Sequence, residues 1–208
     1  MNIKEGAKKF FEKLWFIIWK DNSFRGWVLS IIFLFLFIKL VFFPILSLLT
    51  GTSLPLAIVE SCSMYHKGNY LSNYDGWWQN HKSKYSPYNI EKDEFEDFGF
   101  KDGLNKGDIL FVIGAKPEKL KVGDTIIFAA NQQNPIIHRI INIKEKNDEY
   151  VFSTIGDNNN AQLNFEKNIE QEQLVGKAVF RAPYLGWVKL IFYDWKKAPS
   201  DKWLCREN

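Results

Sequence analysis

Cysteine is nearly absent from this chain. Cys62 and Cys205 are the only two, they lie far apart, and they fall in no ligand spacing. That excludes a disulfide framework and a cysteine-built zinc site, while one bridge between the two stays open. Histidine is equally sparse: His66, His81 and His138 form no HExxH pair, which argues against a metal centre. Net charge is low at +3, and no basic cluster is dense enough for nucleic acid. Aromatic residues, by contrast, are plentiful. They make up 16% of the chain and include eight tryptophans, which suits a protein lying against a membrane interface, where Trp and Tyr collect. A length of 208 residues gives room for one ordinary domain plus an anchor.

The anchor is the long apolar run 26–49, GWVLSIIFLFLFIKLVFFPILSLL. As a helix it reaches about 36 Å, enough to cross a hydrocarbon core of about 30 Å with some tilt. Lys39 is its one charge; it either snorkels to the headgroups or faces an intramembrane partner. Pro44 removes a backbone donor and is expected to kink the far end. Lys4, Lys8, Lys9, Lys13, Lys20 and Arg25 precede the run, and the next Lys or Arg after it is Lys67. The positive-inside rule then places residues 1–25 in the cytoplasm, a transmembrane helix over 26–50, and residues 51–208 outside. The run is too long for a secretory signal core, although the small residues 50–53 imitate a cleavage site. Within 8–20, Phe11, Leu14, Trp15 and Ile18 make one apolar face of an amphipathic helix.

Beyond residue 105 the texture changes. The stretches 109–114, 125–130, 136–144, 150–155 and 175–181 are short and rich in β-formers, with Gly, Asp, Asn and Lys between them. They predict a mainly β, antiparallel domain of sandwich or barrel-like form. Residues 54–60, LPLAIVE, supply another strand, with Pro55 at its start where a missing donor is tolerated. Between 66 and 105 lies an aromatic and acidic insertion without strand alternation. It holds Tyr70, Trp77 and Trp78 and predicts a short helix or two, a flap beside residues 58–68, whose tryptophans either touch lipid or a partner or pack inward. The segment 184–195, YLGWVKLIFYDW, is too short to span and either rests on the bilayer or closes the β domain, so 184–208 is expected to be membrane-proximal.

The chemistry gathers around SCSM, residues 61–64. A serine hydroxyl is nearly inert at neutral pH and needs a base, and the base needs an orienting group. His138, in PIIHRI, is a candidate base on a strand. Asp157, in STIGDNNN, follows the next strand and could hold the imidazole if the two strands pair. Cys62 is expected to point away from the face of Ser63 and fill core space.

Taken together and in order, SCSM, KGDILFV, VGDTIIF, IIHRI, IGDNN, VGKAVF and PYLGWV resemble the type I signal peptidases, in the branch found in archaea and the endoplasmic reticulum. The resemblance covers residues 54–188. It implies a membrane-anchored serine endopeptidase that removes signal peptides from exported preproteins, cutting after small residues, with no metal or organic cofactor. It implies Ser63 as nucleophile, His138 as general base and Asp157 as the acidic member. It places Ser61, or a plain turn residue at that position, beside the oxyanion hole, with a backbone N–H at Met64 as the second donor. Ile58, Val59 and Ile136 are expected as walls of shallow substrate pockets, with the substrate added as a strand beside residues 58–60. The implied partners are signal peptides of preproteins, the lipid bilayer and the protein translocation machinery, with no nucleic acid. The implied location is the cell membrane or, alternatively, the endoplasmic-reticulum membrane with the domain lumenal.

The chain also departs from the family. Relatives often carry a second acidic residue six positions after the aspartate of GDNN; here that position is Leu163, with Asn164 and Glu166 as weaker substitutes. His66 stands where a turn residue is usual and reads as structural or as part of the flap. An inactive, membrane-anchored binding protein and a narrow-specificity prepilin-type or envelope-processing protease are the alternatives.

Overall fold

The computed structural model describes residues 3–67, 74–130, 132, 134–146, 149–194 and 205. The chain forms two compact units, one up to Leu49 and one from Thr50 onward.

The first unit is helical. Helix α1 runs Ile3–Trp19 and α2 runs Phe24–Phe37. The side chains of Phe11 and Leu14, half of the expected apolar face of α1, lie outside the described residues. Ser23 caps α2, its hydroxyl accepting from the Gly26 N–H at 3.1 Å and satisfying a donor that the first turn leaves unpaired. The chain then makes a π-helical turn over Ile38–Phe42 and continues as α3, Phe43–Thr50. The turn immediately precedes Pro44, which lacks an N–H and crowds the carbonyl four residues back. One extra residue in the turn absorbs that misfit without breaking the helix. Residues 24–50 are thus one continuous apolar helix, long enough to cross a membrane.

The second unit is mainly β. Its strands are β1 (Leu56–Ile58), β2 (Ile109–Ile113), β3 (Thr125–Phe128), β4 (Ile136–Lys146), β5 (Glu149–Ile155), β6 (Ile169–Glu170) and β7 (Leu174–Ala182). They form one seven-stranded sheet in the order β1-β2-β7-β3-β4-β5-β6, antiparallel at every pairing. Alternation drives it: in β2, Leu110 and Val112 are buried while Phe111 and Ile113 face out. Strand β1 pairs with β2 alone, so its other edge is free among the described residues. Gly107 opens β2 with φ +91, and a Cβ there would lie 2.3 Å from the Trp187 ring; only glycine permits this turn with that contact.

The insertion packs inward. Its described part contains α4 (Tyr74–His81) and α5 (Lys92–Glu96); Tyr70 lies outside the described residues. Trp77, Trp78, Tyr85 and Phe95 are buried together against Ile141 and Ile155 of the sheet. Each such ring removes roughly 150–250 Å² from water, which decides between the two readings of the aromatic stretch in favour of core. The last helix, α6 (Trp187–Asp194), buries Leu190 and exposes Val188, Ile191 and Phe192.

Cys62 is not core filler. It is bonded to Cys205, with Cα atoms 5.4 Å apart. The expected alternation fails because 62–65 is a turn, closed by Tyr65 N–H donating to the Cys62 carbonyl at 3.1 Å.

Candidate active site

Ser63 sits in the turn that follows β1. The approach is fixed on both sides: Val59 N–H donates to Asp108 O at 2.9 Å, and Gly107 N–H to Val59 O at 2.8 Å. Past the turn, Leu104 N–H donates to Met64 O at 2.7 Å. The GDNN segment grips the turn itself. Asn158 N–H donates to Ser63 O at 2.7 Å, and the Asn158 side-chain amide to Cys62 O at 3.0 Å. Gly156 permits this approach, since a Cβ there would lie 2.8 Å from Ser63 O.

His138 Nε2 is 2.9 Å from Ser63 Oγ. Its Nδ1 faces Oε1 of Glu166 in direct contact, and neither of these two atoms has another hydrogen-bond partner among the described residues. A carboxylate only accepts, so the proton belongs on Nδ1 and the lone pair of Nε2 is turned to the serine hydroxyl. Glu166 is itself held, its Oε2 accepting from Leu163 N–H at 2.6 Å. Both His138 and Glu166 are buried. Ser61 Oγ lies 3.1 Å from Ser63 Oγ, so the residue expected at the oxyanion hole is beside the expected nucleophile. The Met64 side chain is buried.

Asp157 lies elsewhere. Its carboxylate accepts from Arg139 Nε at 3.0 Å and Nη2 at 2.6 Å, from Tyr85 OH at 2.9 Å and from His66 Nε2 at 3.0 Å. The expected contact with His138 is replaced by one with the next residue on the strand. The reason is the β period: His138 and Arg139 are neighbours on β4 and point to opposite faces, and Asp157 follows Ile155, the partner of Arg139. Burial works against the Asp157 carboxylate, but the Arg139 guanidinium and the His66 hydrogen bond outweigh it and hold its pKa well below the usual range. Burial lowers the pKa of His66, which stacks on Trp77 with ring centres 3.6 Å apart. His66 is therefore built into the fold, as expected.

Glu166 is the residue that sequence reasoning ranked too low. It lies nine positions after Asp157, in a short 3-10 turn, Asn164–Glu166. The available signal was the turn itself, in which a glutamate reaches back to the N–H three residues earlier.

In front of Ser63 lies a groove of about 590 Å³. Ile58, Val59 and Ile136, expected as pocket walls, all line it, together with Leu163 and Phe165. Glu60 stands at its rim, bonded to Asn134 at 3.0 Å and Lys189 at 3.2 Å. The arrangement places a serine hydroxyl against an imidazole after β1, in a groove of mixed apolar and polar lining.

The chain is similar to signal peptidase catalytic subunits. It is 31% identical over 101 residues to the signal peptidase complex catalytic subunit SEC11C of Homo sapiens, an overlap of 45% of this chain and 53% of that protein. It is 29% identical over 97 residues to sec11 of Dictyostelium discoideum, covering 43% and 54%. It is 31% identical over 98 residues to SEC11 of Scheffersomyces stipitis, covering 44% and 58%. The chain thus spans about half the length of the relatives it matches. No protein-family model matches it.

Proposed function

We propose that the protein is a membrane-anchored serine endopeptidase that removes signal peptides, with Ser63 as nucleophile, His138 as general base and Glu166 as the group that orients the base. The observation that carries this reading is the unbroken relay from Ser63 Oγ through His138 to Glu166, set at the free edge of β1.

The chemistry follows from the geometry. A substrate strand adds to β1, making main-chain hydrogen bonds, and its alternate side chains enter the apolar groove. Ser63 Oγ attacks the scissile carbonyl as its proton passes to His138 Nε2; Glu166 stabilises the imidazolium that results. The oxygen that becomes negative is received by Ser61 Oγ and the backbone N–H at Met64. Collapse passes the proton to the leaving amine and leaves an acyl-Ser63. Water, deprotonated by His138, then releases the new carboxyl end. Asp157 acts one layer back, tying Arg139, His66 and Tyr85 into the floor beneath the GDNN segment.

The helix over 24–50 anchors the enzyme, and the basic residues before it keep the N-terminus cytoplasmic. The Cys62–Cys205 disulfide fits a domain on the opposite, oxidising side. The lumenal face of an endoplasmic-reticulum membrane fits the resemblance.

The test is cleavage of a preprotein with an Ala-x-Ala site by the full chain in liposomes. Wild type cleaves at that site, and Ser63→Ala and His138→Ala reduce cleavage to background. Cleavage that survives Ser63→Ala overturns the mechanism; a folded wild type that cleaves nothing overturns the function.

A further inference from the structure

The insertion does more than pack on the sheet. It carries a lysine into the back of the nucleophile turn. Lys84 follows α4 and points its ammonium at the GDNN segment, donating to the carbonyl of Asp157 and, at 3.0 Å, to that of Asn159. Between those two carbonyls sits Asn158, whose N–H and side-chain amide hold Ser63 O and Cys62 O. One cation thus ties both ends of the tripeptide that grips the nucleophile turn.

We propose that Lys84 is a positioning residue for the nucleophile: its ammonium clamps the Asp157 and Asn159 carbonyls so that Asn158 keeps Ser63 in line with His138. This rests on the reading of Ser63 as the nucleophile.

The surroundings of Lys84 suit this role. Its ammonium lies 5.4 Å from the Tyr85 ring centre and 5.9 Å from that of Trp77, so the insertion walls it in with aromatic faces. Asp157 and Glu166 attract its charge and Arg139 opposes it. Burial dominates and lowers its pKa to about 8. The folded protein holds this proton less tightly than the unfolded chain does, so raising the pH through about 8 does not by itself favour unfolding. What is lost is a charged donor, since a neutral amine donates fewer and weaker hydrogen bonds. The clamp and the nucleophile geometry should loosen together in that range.

The experiment uses the full chain in liposomes with the same preprotein. Lys84→Met is expected to lower kcat about 10- to 100-fold with KM little changed, the size expected of a small misplacement at a reacting centre. Wild-type kcat falls above about pH 8; Lys84→Arg keeps activity and moves that fall to higher pH. Hydrogen exchange of the peptide covering 156–159, compared at one pH, is faster in Lys84→Met than in wild type. Equal kcat and equal exchange in folded Lys84→Met overturn the proposal, as does an alkaline fall left in place by Lys84→Arg. A wild type that cleaves nothing defeats the protease reading, and the exchange comparison still decides the clamp.

Discussion

Asp157 and Glu166 are buried carboxylates nine positions apart, and what each one faces sets them apart. Asp157 meets a guanidinium, a phenol and an imidazole, while among the described residues the Glu166 carboxylate touches the Nδ1 of His138 and accepts from one backbone N–H. Removing the Asp157 charge would leave Arg139, itself fully buried, without its counter-ion. Asp157→Asn is therefore expected to cost about 3–5 kcal/mol of stability, measured by urea unfolding. The pKa of Asp157 is depressed in the folded state, so its contribution is complete above the unfolded value of about 4 and is lost as the pH falls below it. Wild-type stability should decline from pH 5 toward pH 2, and Asp157→Asn should show a shallower decline. Equal acid profiles would remove Asp157 from this role. The meeting of Ser63 with His138, and the place of Ile58, Val59 and Ile136 along the groove beside them, were legible in the sequence, because these residues lie in short segments whose order is informative. The partner of His138 was not legible. Its choice depends on which face of β4 each of two adjacent residues presents, and on a 3-10 turn whose glutamate reads only as a weaker substitute for the missing acidic residue.

Among the elements, the strands were the most legible, since alternation and the Gly and Asp turns between them carry their own signal. The insertion was half legible. Its helices were expected, but its aromatic residues fitted a lipid-facing and an inward-packed reading equally, and only tertiary contact with Ile141 and Ile155 separates the two. The Cys62–Cys205 bridge has no local signature, because pairing at a separation of 143 residues is set by where the fold brings the C-terminal segment. That bridge should act mainly on the unfolded chain. Cys205→Ser is expected to lower the unfolding free energy by about 2–4 kcal/mol, and reductant should lower wild type by the same amount while leaving the variant unchanged. A variant as stable as wild type in oxidising buffer would show that the bridge does not form in solution.

At the scale of the whole molecule, the division after Leu49 separates the long apolar helix from the sheet and its candidate site. The sheet, the insertion and the relay all lie in the second unit. Residues 50–208 alone are expected to fold, with the near-ultraviolet circular dichroism of the full chain, and to cleave a short Ala-x-Ala peptide. Under the proposed anchorage the fragment should cleave a lipid-inserted preprotein more slowly than the full chain does, because a tethered helix raises the local concentration at the bilayer. An unfolded fragment would mean that the helical unit is needed for the core.

Whether Ser63, His138 and Glu166 act as one relay is read in the cleavage rate of Glu166→Gln. The amide keeps the shape but loses the charge and can present a donor to Nδ1, favouring the wrong tautomer of His138. Glu166→Gln should stay folded while its kcat on an Ala-x-Ala preprotein falls by about 10³- to 10⁴-fold, with KM little changed. A folded Glu166→Gln that cleaves at the wild-type rate would contradict the relay.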